Sequence, residues 1–111
     1  MVYNWSTINV SDMQKSLDFY CGLLKLEVAG QIGKVGDDFC VYFLGEKGKT
    51  QHELIQNGEK PQSSVTTSFG FTPDNLEEIL QACKDTAVKV NERFWFVKDP
   101  DGYKIQLMIK K

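Results

Sequence analysis

The sequence predicts an α+β protein made of two tandem βαβββ modules, module 1 over about residues 1–57 and module 2 over about residues 64–111. Two observations carry this prediction. The order of strand-like and helix-like segments in the first half recurs in the second half. The segment between the halves is polar, contains Gly58 and Pro61, and lacks hydrophobic periodicity. We therefore expect one domain with an internal structural repeat.

Module 1 opens with a predicted strand. Ile8 and Val10 alternate with Trp5, Thr7 and Asn9, a pattern typical of a strand with one buried face. Trp5 and Thr7 are therefore expected on the face opposite to Ile8.

A first helix follows this strand. Ser11 is the expected N-cap, and Gln14, three residues later, would complete a capping box. An apolar stripe at helical spacing then contains Met13, Leu17, Tyr20, Cys21 and Leu24.

Three further strands complete module 1. They are predicted over Glu27–Ile32, Phe39–Leu44 and Gln51–Ile55, with glycine and charged residues between them, as is usual in hairpins.

Module 2 repeats this order. A strand is predicted over Val65–Phe71, and a helix opens at Thr72–Asp74 with Pro73 in its first turn, where a missing N–H is harmless. A short strand near Val88–Val90 follows the helix. The apolar stripe of the helix consists of Leu76, Ile79, Leu80 and Cys83.

The closing segment, Phe94–Met108, reads as strand, tight turn and strand. Pro100 pre-sets φ in the turn Asp99-Pro100-Asp101-Gly102, and Gly102 supplies the positive φ that closes it. Both flanks are rich in aromatic and β-branched residues.

Helices are expected to cover one face of each mixed sheet. The opposite faces are then expected to curve around a concave cleft, with the helices on the convex side. The residues predicted to be buried under the helices are Ile8, Val10, Leu54, Phe69, Phe71, Ile105 and Leu107.

The composition excludes several classes of protein. The net charge of −2 argues against a general nucleic-acid binder. No run approaches the ~18 apolar residues of a bilayer span, and the N-terminus lacks a signal-peptide pattern. No CxxC pair is present, because the three cysteines are widely spaced. We interpret them as reduced core thiols; they are Cys21, Cys40 and Cys83. We therefore expect a cytoplasmic protein that binds neither nucleic acid nor membranes.

Two motifs in this element order resemble those of the vicinal oxygen chelate superfamily. They are Val10–Tyr20 (VSDMQKSLDFY) on the first helix and Asp99–Ile105 (DPDGYKI) near the end. This superfamily contains glyoxalase I, the bleomycin- and fosfomycin-resistance proteins and the extradiol dioxygenases. The resemblance covers essentially the whole chain. Lys25 departs from the pattern, because the family usually has glycine just after the first helix.

The resemblance implies four inward-facing positions at which metal-using members carry His, Glu or Gln ligands. A divalent ion such as Ni²⁺ or Zn²⁺ favours at least three imidazole, carboxylate or thiolate donors. Only one such donor is present here, and an indole cannot coordinate a metal. We therefore expect no cofactor, with a divalent metal as the disfavoured alternative. The four positions are occupied by Trp5, Glu53, Ser68 and Gln106.

Glu53 is the candidate catalytic residue, because a carboxylate on the floor of an aromatic pocket suits a general base. In the alternative interpretation Glu53 pairs with a lysine, or with Gln106 and Ser68, in a polar network without chemistry. His52, the only histidine, is expected to be partly exposed on the helix side or at an edge, since neighbours in a strand point to opposite faces.

The aromatic residues are open to two interpretations, as walls of a ligand pocket or as core and dimer-interface packing. Alternation places Trp95 opposite to Phe94 and Phe96, so only one of these sets lines a pocket. The candidate ligand-binding residues are Trp5, Thr7, Tyr42, Glu53, Ser68, Trp95 and Gln106.

Three functional hypotheses follow. The first is a small-molecule-binding protein without the usual metal, expected to be a homodimer because concave sheets need a partner to close the cleft. The second is a lyase or isomerase of the glyoxalase type, with unusual metal ligands or with Glu53 as the base. The third is an interaction protein whose cleft is filled by its own side chains. Trp5 and the incomplete donor set favour the first and third.

Overall fold

Two four-stranded sheets, each with its own helix, make up the part of the chain that the structure describes. The structure is a computed structural model that describes residues 1–110; Lys111, the last residue of the predicted module 2, lies outside that range. The chain divides into two compact units, one ending at Pro61 and the other beginning at Gln62. This division falls within the polar segment between the predicted modules, and the predicted α+β class is confirmed.

Module 1 contains β1 (Trp5–Asn9), α1 (Met13–Leu17), β2 (Val28–Ile32), β3 (Cys40–Leu44) and β4 (Gln51–Gln56). Its strands lie in the order β1-β4-β3-β2. The pair β1 and β4 is parallel, whereas β3 runs antiparallel to both β4 and β2. Residues in register on neighbouring strands share a face of the sheet, so this pairing decides which side chains meet.

The start of α1 differs from the prediction. Asp12 is the N-cap, because its side chain accepts a hydrogen bond from the backbone N–H of Lys15 at 3.2 Å. Ser11 therefore lies one residue before the cap, and its assignment as N-cap is wrong.

The helix continues beyond α1 as a π-helical segment over Asp18–Leu23 and exits at Lys25. Lys25 has φ of 65°, the left-handed conformation that usually falls to glycine at a helix end. Across this exit the N–H of Leu26 donates to the carbonyl of Tyr20 at 3.0 Å. The departure from glycine at Lys25 thus places a strained residue where the helix ends.

The helical segment and the sheet of module 1 share a buried face. Ile8, Val10 and Leu54 are buried as predicted. Tyr20 is also fully buried, and its ring centroid lies 4.8 Å from that of His52. His52 is on the helix side, as expected, but it is only 6% exposed. The prediction of a partly exposed histidine is therefore wrong.

Module 2 contains β5 (Ser68–Phe71), α2 (Leu76–Ala82), β6 (Val88–Lys89), β7 (Phe94–Lys98) and β8 (Lys104–Met108). Its strand order is β5-β8-β7-β6, with β5 parallel to β8 and the other neighbours antiparallel. This is the arrangement of module 1, and the predicted structural repeat is confirmed.

Two boundaries of module 2 differ from the prediction. Asn75 is the N-cap of α2, so Pro73 lies before the helix and not in its first turn. The first strand begins at Ser68, because Val65 is 87% exposed and lies outside the sheet. The predicted core is otherwise present: Ile79, Ile105 and Leu107 are fully buried, while Phe69 and Phe71 are half-buried.

The turn between β7 and β8 forms as predicted. Gly102 has φ of 87°, and its N–H donates to the carbonyl of Asp99 at 3.0 Å. The side chain of Asp99 is also buried and accepts hydrogen bonds from the N–H groups of Asp101 and Tyr103 at 2.9 and 2.8 Å. Asp99 therefore anchors the turn from inside the module, which the turn motif alone did not reveal.

All three cysteines are free thiols. Cys40 is fully buried, whereas Cys21 and Cys83 are half-buried, so the description as core residues holds only for Cys40. Among residues 1–110, no helix is both long enough and apolar enough to cross a membrane.

Candidate functional site

The face of module 1 that points away from the helix carries Glu53. Thr7 on β1 and Phe43 on β3 are the register partners of Glu53, so these three side chains share one face. The hydroxyl Oγ1 of Thr7 donates a hydrogen bond to Oε1 of Glu53. Glu53 is half-buried. The carboxylate is thus oriented by Thr7 and remains open to solvent in part.

Trp5 and Phe43 form an aromatic wall beside this carboxylate. Their ring centroids are 4.9 Å apart and the rings are tilted by 56°. Trp5 is nevertheless 46% exposed. An exposed indole next to a positioned carboxylate is suited to contact a ligand that has both an apolar and a polar part.

Tyr42 lies on the opposite face of the same sheet. Its register partner is Leu54, it is buried, and its hydroxyl accepts a hydrogen bond from the N–H of Val35 at 3.2 Å. The expectation that Tyr42 lines a pocket with Trp5 and Glu53 is wrong. Phe43, one residue later, takes that place, and only the register of β3 against β4 reveals it.

The matching face of module 2 carries Gln106 and Ser68. Gln106 pairs with Gly70 on β5 and with Phe96 on β7. A Cβ atom built on Gly70 would lie 3.8 Å from Oε1 of Gln106, so the absent side chain leaves space beside the amide. Ser68 shares this face with Gly70 by alternation and is exposed, whereas Gln106 is half-buried.

Trp95 lies on the other face of module 2. It pairs with Leu107, whereas Phe96 pairs with Gln106. Phe94 lies on the Phe96 side, and the two rings meet edge to face at 5.6 Å between centroids. Of the two aromatic sets left open by the sequence, Phe94 and Phe96 therefore share the face of Gln106. The choice of Trp95 as a companion of Gln106 is wrong.

The donors on these faces are a poor match for a divalent metal. Glu53 offers a carboxylate that already accepts from Thr7, Gln106 offers a neutral amide oxygen, and Ser68 a hydroxyl. Within residues 1–110, no three His, Cys, Asp or Glu side chains form a group that could hold a metal ion. His52 points to the helix side, where burial lowers its pKa to about 4. It is therefore a neutral core residue at pH 7.

Several proteins of known sequence resemble this chain along nearly its whole length. A protein of Synechocystis sp. named "Probable lactoylglutathione lyase" is 29% identical, with 91% of this chain and 89% of that protein covered. The lactoylglutathione lyase of Neisseria meningitidis serogroup A is 27% identical, with 94% and 87% covered. That of Escherichia coli O157:H7 is 26% identical, with 94% and 89% covered.

Solved structures show the same fold. Glyoxalase I of Leishmania major superposes with a TM-score of 0.77 at 23% identity, covering 98% of this chain and 86% of that one. Glyoxalase I of Zea mays gives a TM-score of 0.72 at 18% identity, covering 96% of this chain and 44% of that one. The sequence model of one family matches residues 3–107. The chain belongs to the Glyoxalase/Bleomycin resistance protein/Dioxygenase superfamily.

Proposed function

We propose that this protein binds a small organic molecule on the Glu53 face of module 1, and that it does so without the divalent metal common in the family. The observation that supports this proposal is the combination of a carboxylate oriented by Thr7 with the exposed indole of Trp5, which packs against the tilted ring of Phe43. Such a surface offers one hydrogen-bond acceptor and a broad apolar contact, which is the usual composition of a ligand site.

The chemistry of this face indicates a ligand with a flat or apolar part and a donor or positive charge. A carboxylate accepts hydrogen bonds only and attracts cations, while an indole face binds both flat rings and cations. We also propose that the protein acts as a homodimer in the cytoplasm, although neither property is needed for binding on this face.

Ligand titration with Glu53 variants tests the proposal. A thermal-shift screen of aromatic amines and their uncharged analogues should identify compounds that stabilise the wild-type chain. Glu53→Gln should weaken binding of an amine by about tenfold, because a charge-assisted hydrogen bond is replaced by a neutral one. Thr7→Val should weaken it less, since the carboxylate remains. Glu59→Gln, in the exposed segment between the modules, is the matched control and should change nothing.

Two results would contradict this proposal. One is the absence of stabilisation by any amine, or a loss of affinity that is equal for Glu53→Gln and Glu59→Gln. The other is a stoichiometric Ni²⁺, Zn²⁺, Mn²⁺ or Fe²⁺ ion in purified wild-type protein, measured by elemental analysis, that disappears in Glu53→Gln.

A lyase of the glyoxalase type is the second candidate function. It is supported by the proteins named lactoylglutathione lyase, which align with 91–94% of this chain. In that case Glu53 would act as the base that moves a proton on the substrate. The assay is the formation of lactoylglutathione from methylglyoxal and glutathione, with and without added metal. Turnover that is lost in Glu53→Gln but kept in Glu59→Gln would favour the lyase over simple binding.

A further inference from the structure

A cavity of about 560 Å³ lies wholly within module 2. Its volume is within the range of sites that hold small organic ligands. Residues from the segment before β5, from β6 and its flanks, and from β7 and β8 line it, including Val65, Val88, Val90, Phe96, Lys98 and Lys104.

The apolar part of this cavity consists of side chains that are unusually exposed for their type. Val65, Val88 and Val90 are 87, 59 and 47% exposed. Scattered exposed valines are ordinary, but here three of them line one concave space together with the ring of Phe96. An apolar body placed in the cavity would cover all three.

The charged part of the cavity is a pair of lysines on two neighbouring strands. Lys98 on β7 and Lys104 on β8 are direct register partners and share the face of Phe96. Like charges directly opposite in a sheet repel each other. Lys104 Nζ lies 4.1 Å from the centroid of Phe96. Among the residues that the structure describes, the ion pairs involve Lys49, Lys89 and Lys110, and neither Lys98 nor Lys104.

The remaining polar groups of the cavity are neutral. They are the hydroxyls of Ser63, Ser64 and Thr86. Thr86 Oγ1 accepts a hydrogen bond from the backbone N–H of Lys98 at 3.3 Å. This bond holds the backbone of Lys98 next to Thr86 in the cavity wall. Among residues 1–110, no carboxylate side chain lines the cavity. The site therefore combines two unbalanced positive charges with an apolar floor.

We propose that this cavity binds an organic anion, with a carboxylate or sulfonate between Lys98 and Lys104 and a ring-containing apolar body against the valines and Phe96. The anion would remove the repulsion between the two ammonium groups, and the body would cover the exposed valines. This site uses module 2 alone. Binding of an anion in this cavity does not depend on ligand binding at Glu53.

Fluorescence titration with two matched probes tests the site. The anionic probe is 8-anilinonaphthalene-1-sulfonate, and the neutral probe is N-phenyl-1-naphthylamine, which has the same rings without the sulfonate. The folded wild-type chain should bind the anionic probe at a single saturable site, about a hundredfold more tightly than the neutral probe, because each lysine contributes about tenfold. Added salt should weaken the anionic probe only.

Variants locate the site. Lys98→Gln and Lys104→Gln should each weaken the anionic probe by about tenfold and leave the neutral probe unchanged. Lys89→Gln is the matched control, because Lys89 lies on neighbouring β6, pairs with Trp95 on the other face, and does not line the cavity. It should change the affinity less than twofold. Val88→Trp should fill the cavity and weaken both probes.

These measurements distinguish a specific anion site from non-specific binding and from a loss of fold. Equal affinity for the two probes, or equal losses in Lys98→Gln, Lys104→Gln and Lys89→Gln, would show non-specific binding and overturn the site. Binding that is not saturable at one equivalent would do the same. Cooperative thermal unfolding of each variant, followed by circular dichroism, establishes that any lost affinity reflects the site and not a loss of fold.

Discussion

Module 1 and module 2 share one strand order but carry different chemistry at matched positions. Where module 1 places Glu53 opposite Phe43, module 2 places Gln106 opposite Phe96. In both sheets an aromatic residue is thus the register partner of a polar residue. That polar residue is charged in module 1, as Glu53, and neutral in module 2, as Gln106. A repeated topology thus repeats the positions of side chains without fixing their charges.

The helix side shows the same kind of difference. One residue before Glu53 lies the buried His52, whereas one residue before Gln106 lies the buried Ile105. The two strand-linking turns also differ. The β7–β8 turn is held by the buried Asp99, but the β3–β4 turn carries an ion pair between Glu46 and Lys49 whose side chains are both exposed. Each difference can be tested by making one module more like the other.

The largest effect is expected at the turn of module 2. Asp99→Ala removes the acceptor of two backbone N–H groups inside the module and should lower the free energy of unfolding by about 4 kcal/mol. Asp99→Asn keeps an acceptor and should cost about half as much. Glu46→Ala, at the corresponding turn of module 1, should leave stability unchanged because exposed ion pairs contribute little. Urea unfolding measures all three. Equal losses at Asp99 and Glu46 would contradict this contrast.

Acid sensitivity should arise in module 1 through His52. Burial lowers the pKa of His52 to about 4 in the folded chain, whereas the unfolded chain has an ordinary histidine pKa near 6.5. Between these values the unfolded state binds the proton that the folded state rejects. The contribution of His52 to the free energy of unfolding is therefore fully present above pH 6.5. It is lost as the pH is lowered, so that the free energy of unfolding falls by about 3 kcal/mol at pH 4.

His52→Ile gives module 1 the residue type that module 2 has at Ile105, and it isolates this effect. Carboxylates titrate in both proteins, so the quantity to compare is the difference in unfolding free energy between wild type and variant from pH 7 to pH 4. That difference should shift by about 3 kcal/mol in favour of the variant. Parallel pH profiles for the two proteins would show that His52 does not couple folding to pH.

The smallest effect is expected at the exit of the first helix. Lys25→Gly should raise the free energy of unfolding by about 1 kcal/mol, because glycine adopts φ of 65° without strain. Lys25→Ala keeps the strain and removes the hydrogen bond from Nζ to the carbonyl of Gly22, which is exposed. It should be neutral within about 0.5 kcal/mol. Chemical denaturation compares the two, and a gain in both variants would assign the effect to the side chain.

Local patterns predicted the elements of this protein well. Alternation alone placed Glu53 and Leu54 on opposite faces of β4, and the turn at Asp99–Gly102 is local chemistry that forms as expected. Helix starts were less predictable, since Ser11 and Asp12 are both good caps and only the backbone conformation selects Asp12. The candidate ligand residues remain proposals until binding is measured.

By itself the sequence determined the element order, the repeat and the face of each residue within its own strand, because these depend on neighbours along the chain. Tertiary structure decided which side chains of neighbouring strands lie on the same face of a sheet. A one-residue change of register moves every side chain to the other face, and this is why Phe43 and Phe96 join the polar faces in place of Tyr42 and Trp95. Cross-strand pairing also placed Lys98 opposite Lys104, where the turn between β7 and β8 fixes the register of the hairpin.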